Sequence, residues 1–254
     1  MTFDAGSFPI VHAVTDSNAV MHESFIDRAS AVMRALGPRG AIHLRSSRMS
    51  GKEFYELAVL LANFQKATGC WLIVNDRVDV AAAVGAKGVQ LASHSMRVSD
   101  ALKVTNVPVG ASVHSVREAV AAETYGASWC VAGTVFETPS HVGRAPARIE
   151  FVESVVRAVK IPVVAIGGVT PDDVAELRNA GAHGVATIRG VGWEQGLEAS
   201  SEEDSQLKTR LPVLADPGFL EPVTRYISAY DSDSGNGQDD HPDGERSGSG
   251  AREQ

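Results

Sequence analysis

Cysteine is nearly absent from this chain. Cys70 and Cys130 are the only two, and each sits in an apolar run, GCWLIV and SWCVAG. That context predicts buried, reduced thiols rather than a disulfide or a metal pair. Long apolar runs are missing too. No stretch approaches the roughly 18 residues a spanning helix needs, and no basic-plus-hydrophobic leader opens the chain, so the sequence predicts a soluble, cytoplasmic, unprocessed protein. Positive charge is in short supply. Lys and Arg number 23 against 31 Asp and Glu, a net charge of −8, which argues against nucleic acid or an anionic membrane as a partner. Finally, no GxGxxG follows the first strand-like run, which weakens an open, doubly wound dinucleotide fold.

What the chain has is an alternation of short β-branched runs with helical periodicity. Strand-like runs lie at 9–14, 41–45, 71–74, 88–91, 108–114, 129–133, 162–166 and 184–187. Helical segments are expected at 23–36, 52–68, 77–84, 97–104, after Ser115, at 150–159 and after Thr170. Gly37-Pro38, Gly69, Gly85 and Gly181 supply stops, while Ser115-Val116-Arg117-Glu118 reads as a capping box. Eight strands alternating with helices predict a single α/β domain, a (β/α)8 TIM barrel, over 1–230. The 192–230 stretch should add a closing helix. From 231 onward large apolar residues disappear, and 231–254 are expected to be a disordered acidic tail. That tail holds seven carboxylates against Arg246 and Arg252, five of the eight net negative charges, so acidity says little about the barrel.

The most informative stretch is PVVAIGGVTPDDVAELRNAGAHGVATIRG, 162–190. Gly167-Gly168 and Thr187-Ile188 follow consecutive strands, where a barrel's seventh and eighth loops form the recurrent phosphate site. Tight-turn geometry alone is the competing reading of those glycines.

Four segments, IVNDRVDVAAAVGAKGVQL, GASVHSVREAVAAETYGASW, VFETPSHVG and PVVAIGGVTPDDV, together resemble the thiamine phosphate synthase/TenI family over 9–192. The resemblance implies a TIM barrel and one of two activities. Synthases join a pyrimidine methyl diphosphate to a thiazole phosphate, releasing pyrophosphate with Mg2+ and cationic side chains on the diphosphate. Their Gln-Leu-Arg-x-Lys pattern is met here by His43-Leu44-Arg45-Ser46-Ser47, so Arg45 matches while the lysine does not. Asn75 and Asp76 match the first carboxylate position, the second falls at Ser95, and the diphosphate-gripping Thr-Lys falls at Ser140-His141.

The other branch is a thiazole tautomerase, which moves a proton on the carboxylated thiazole phosphate without metal or cofactor. It implies His114, in SVHS, as the proton-transfer group and VFET at 135–138 as a TenI-like feature. Because two lysines and a carboxylate are missing, the sequence favours the tautomerase. The divergent synthase, using Asp76, Mg2+, Arg45, Ser112 and His141, is the alternative, and a non-catalytic phosphate-binding regulator is the third. Expected ligand contacts are Gly167, Gly168, Thr187, Ile188, Arg45, Ser112, His141 and Asn75, to a small phosphorylated thiazole, with a homo-oligomer left open. Asp76 could instead cap the following helix, Arg45 could pair with Asp76, and inward-facing His43 reads as a core histidine.

Overall fold

The computed structural model describes residues 3–137, 148–193 and 217–232. Eight parallel strands close into a barrel in sequence order: β1 Val11–Val14, β2 Gly40–Leu44, β3 Trp71–Asn75, β4 Gly88–Leu91, β5 Val109–Val113, β6 Trp129–Gly133, β7 Val163–Ile166 and β8 Gly184–Thr187. β1 pairs with both β2 and β8, which closes the ring. The helices are α1 Ser17–Met21, α2 Phe25–Leu36, α3 Gly51–Thr68, α4 Val78–Val84, α5 Val98–Ala101, α6 Val116–Thr124, α7 Arg148–Ala158, α8 Val174–Asn179 and α9 Pro217–Ser232.

Strand residues alternate between two apolar layers. Leu72, Val74, Cys130, Ala132, Val163, Ala165 and Val185 pack outward against helix residues such as Val32, Met33, Leu57 and Leu177. Ile73, Trp129, Val131, Val164 and Ala186 form a separate cluster that fills the barrel. Trp129 is the largest fully buried side chain among the described residues. A Cβ on Gly110 or Gly88 would run into its indole, so those two strand glycines make room for one large ring. Burial pushes the thiols of Cys70 and Cys130 up to about 12, so both stay protonated and inert, and both are free.

Most expected boundaries hold to within a few residues, with four differences. The segment expected over 23–36 is α2, and a short helix that the sequence reading did not expect, α1, precedes it across a turn at His22 to Ser24. The helix expected over 97–104 is a single turn, α5. The Ser115 box is modified: Ser115 accepts from the Glu118 N–H, but Glu118 Oε2 accepts from the N–H of His114 rather than of Ser115. At the C-terminus Asp231 and Ser232 still belong to α9, and Asp231 pairs with Arg39 at 2.8 Å, so the expected tail begins too early; 233–254 lie outside the described residues.

Among the described residues α9 is the eighth helix of the outer ring. It packs on α2 and α8, burying Val223, Tyr226 and Tyr230. The Tyr226 hydroxyl donates to the Val169 carbonyl at 2.8 Å, which ties this helix to the turn after β7.

Candidate active site

The C-terminal ends of the strands collect the polar side chains that the inner cluster excludes. At the end of β3, Asp76 adopts a left-handed backbone (φ 61), a conformation that Asp tolerates better than most residues. Its N–H donates to the Gln90 carbonyl at 3.0 Å. Its Oδ1 accepts from the Ala92 N–H at 3.0 Å and from the Ser95 hydroxyl. Asp76 is therefore not a helix cap: α4 starts from Arg77 with no side-chain cap, and Arg77 pairs with Asp79 at 2.6 Å. Ser95, at the second carboxylate position, serves instead to hold the first carboxylate. Among the described residues Asp76 Oδ2 has no hydrogen-bond partner. Arg45 does not pair with Asp76 either. Its backbone is fixed at the end of β2 by exchange with Thr15, whose hydroxyl accepts from Arg45 N–H at 2.9 Å, and its exposed guanidinium has no partner among the described residues.

At the end of β5, His114 Nδ1 meets the Gly133 carbonyl. A carbonyl only accepts, so the proton sits on Nδ1 and the Nε2 lone pair is left available. The same residue's N–H is held by Glu118 at 2.8 Å, so backbone and ring are both pinned. Ser112 is half-buried one turn of the pleat earlier, and its hydroxyl accepts from Gln90 Nε2 at 3.0 Å.

The turns after β7 and β8 divide the expected phosphate contacts. Gly167 and Gly168 have φ of 104° and 68° and leave no space for a Cβ, which on Gly168 would lie 2.5 Å from the Glu137 carbonyl. The chain after β6 presses on them, with Phe136 N–H donating to Gly167 O at 2.8 Å. Packing alone thus demands glycine at both places, in favour of the tight-turn reading for the side chains. The backbone remains a candidate anion cradle, since the N–H groups of Gly168, Ile188 and Arg189 find no acceptor among the described residues. Thr187 does not offer its hydroxyl. That oxygen is buried, accepts from the Gly190 N–H at 3.0 Å and lies against the Tyr226 hydroxyl. The side chain of Ile188 packs into the barrel interior, leaving its backbone as the only possible contact. His141 falls outside the described residues.

Deeper in, His43 is a core histidine, as the sequence reading has it. His12 Nε2 meets the Pro9 carbonyl at 2.9 Å and so carries the proton; its Nδ1 then accepts from His43 Nε2–H at 2.9 Å. Burial lowers His12 well below the ordinary histidine value, with neighbouring His43 adding to it, and lowers His43 to about 4. Both rings are neutral at pH 7. Asn75 lies beside His43, and its Oδ1 is buried with no hydrogen-bond partner among the described residues.

Sequence reasoning missed Gln90, Trp129 and Tyr226. Their partners lie 22, 39 and 57 residues away, beyond the reach of any local signal.

A family model described as thiamine monophosphate synthase matches residues 11–191. The thiamine-phosphate synthase of Pyrococcus abyssi is 38% identical over 175 residues, covering 68% of this chain and 84% of that protein. The thiamine-phosphate synthase of Methanoculleus marisnigri is 35% identical over 196 residues, covering 75% of this chain and 91% of its own. Among solved structures, thiamine phosphate pyrophosphorylase from Pyrococcus furiosus aligns with a TM-score of 0.69 at 28% identity, over 89% of this chain and 97% of that one. The chain belongs to the thiamine phosphate synthase/TenI family.

Proposed function

We propose that this chain is a thiamine-phosphate synthase, a transferase. In this reaction the thiazole ring nitrogen attacks the exocyclic methylene of a pyrimidine methyl diphosphate. The new C–N bond replaces the C–O bond, and the bonding pair leaves with pyrophosphate. The observation that carries the reading is the identity of 38% to a protein named thiamine-phosphate synthase across most of both chains. It reverses the preference for a tautomerase drawn from missing lysines and a missing carboxylate.

The described residues contain no cluster of three or more His, Cys, Asp or Glu able to hold a metal alone. Mg2+ is, however, commonly bound through one or two carboxylates plus substrate phosphates. Asp76, whose Oδ1 is engaged and whose Oδ2 is not, suits that arrangement as the single protein carboxylate. When bound there, Mg2+ would neutralise charge on the departing pyrophosphate. Arg45, whose guanidinium has no partner among the described residues, suits the same group. The backbone N–H groups of Gly168, Ile188 and Arg189 suit the phosphate of the thiazole.

One observation favours the tautomerase as a second reading: His114 has a free Nε2 on a ring fixed by its other nitrogen, which is what a proton-transfer group requires. Paired variants separate the two. Asp76→Asn is expected to lower pyrophosphate release by about 100-fold or more and His114→Gln by less than about tenfold. The opposite order, with loss of metal-independent thiazole aromatisation in His114→Gln, would favour the tautomerase.

A further inference from the structure

Inside the barrel one hydrogen-bonded chain has a direction that chemistry fixes. Trp129 Nε1 lies 2.8 Å from Gln90 Oε1, both residues being buried. An indole N–H can only donate, so that amide atom must be the oxygen, and the orientation of Gln90 follows without ambiguity. The amide nitrogen is then turned to Ser112 Oγ, 3.0 Å away, and it can only donate. The Ser112 oxygen therefore accepts from inside the barrel. Its own proton cannot point back at Gln90, and among the described residues it has no other acceptor.

We infer that Trp129 and Gln90 are positioning residues that orient the Ser112 hydroxyl so that its proton is presented at the barrel mouth, to an anionic oxygen of the phosphorylated substrate. This rests on the reading of the mouth as a phosphate-ester site but not on which reaction occurs there. With one lone pair of the hydroxyl taken by Gln90 and no acceptor for its proton among the described residues, that proton is left for a ligand oxygen, and each bond in such a chain polarises the next. The geometry is costly to arrange. Gly88 and Gly110 both forgo a side chain so that the Trp129 ring can lie across the barrel with its N–H under Gln90.

The test is a double-mutant cycle on anion affinity, measured by calorimetry with inorganic pyrophosphate and Mg2+ on the full chain. Ser112→Ala removes the donor. Gln90→Leu with Trp129→Phe removes donor and acceptor of the chain beneath it together, at the further loss only of the long 3.4 Å bond from Gln90 Nε2 to the Leu91 carbonyl. Thermal unfolding of each variant checks that the fold is kept. Each change alone is expected to weaken binding by about tenfold or more, the range of a hydrogen bond to a charged group. Combined with Ser112→Ala, the inner pair is expected to cost nothing further, because it acts only through that hydroxyl. Equal weakening by the inner pair with and without Ser112, no weakening at all, or no pyrophosphate binding by the unaltered protein would each overturn the inference. Intact binding and coupling without thiamine phosphate formation would overturn only the synthase reading.

Discussion

The two ends of the barrel solve opposite problems with similar residue types. At the N-terminal end Phe8 is surrounded by the rings of Phe3, His12, Trp71, Trp129 and His183, with centroids 4.8–5.7 Å apart. The polar atoms there find partners within the fold: His12 on Pro9 and His43, His183 on the Phe8 carbonyl. At the C-terminal end the same kinds of group run out of partners. Asp76 keeps one oxygen, Arg45 its guanidinium and His114 one ring nitrogen without a partner among the described residues. A histidine at the bottom is thus spent on packing, and His114 at the top keeps one ring nitrogen without a partner among the described residues, although both stand on strands of one sheet. Unspent hydrogen-bonding capacity, rather than residue type, distinguishes the two ends.

That contrast predicts where each kind of damage shows. Phe8→Ala, at the closed end, is expected to cost about 3–5 kcal/mol of stability in chemical denaturation, with activity per folded molecule unchanged. A loss of turnover at temperatures where the variant is folded would break the contrast.

The buried histidine pair should give the closed end a pH signature. Both folded-state values are depressed below the unfolded value of about 6.5, so unfolding takes up protons in acid. The stability contribution is fully present above about pH 6.5 and is lost as pH falls towards about 4, at roughly 1.4 kcal/mol per pH unit for each histidine. His43→Gln, which can still donate to His12, is expected to lose about 1–2 kcal/mol less than the unaltered chain between pH 7 and pH 5. An identical acid loss would mean that His43 is not held neutral.

The smallest effect belongs to the open end. Arg45→Ala should raise the KM for the diphosphate substrate by about tenfold and leave the thermal midpoint in place, since the side chain is exposed and unpaired. A shifted midpoint with unchanged KM would assign Arg45 to structure.

The barrel was legible because its strands are short apolar runs bounded by glycine, and glycine stops at Gly69 and Gly85 take the left-handed form that their position implies. The mouth was legible only as positions. That His114, Ser112, Asp76 and Arg45 end strands follows from periodicity; what each touches does not. The alternative Asp76–Arg45 pair gave way to Ser95, which arrives from the loop after β4, and the hydroxyl of Thr187 was taken by a turn and by Tyr226 from the last helix. Glycine at 167 and 168 looked like an anion signature, yet the close approach of Thr134, Phe136 and Glu137 already requires it. Local pattern predicts elements, whereas donor and acceptor pairing across the barrel is set by register and tilt.

The most direct test of the synthase reading is to incubate the purified chain with hydroxymethylpyrimidine diphosphate and thiazole phosphate, with and without Mg2+, and to follow thiamine phosphate and pyrophosphate together. Equal amounts of both products, formed only with Mg2+, are the predicted result. Neither product in the presence of Mg2+, alongside metal-independent aromatisation of the carboxylated thiazole phosphate, would contradict it.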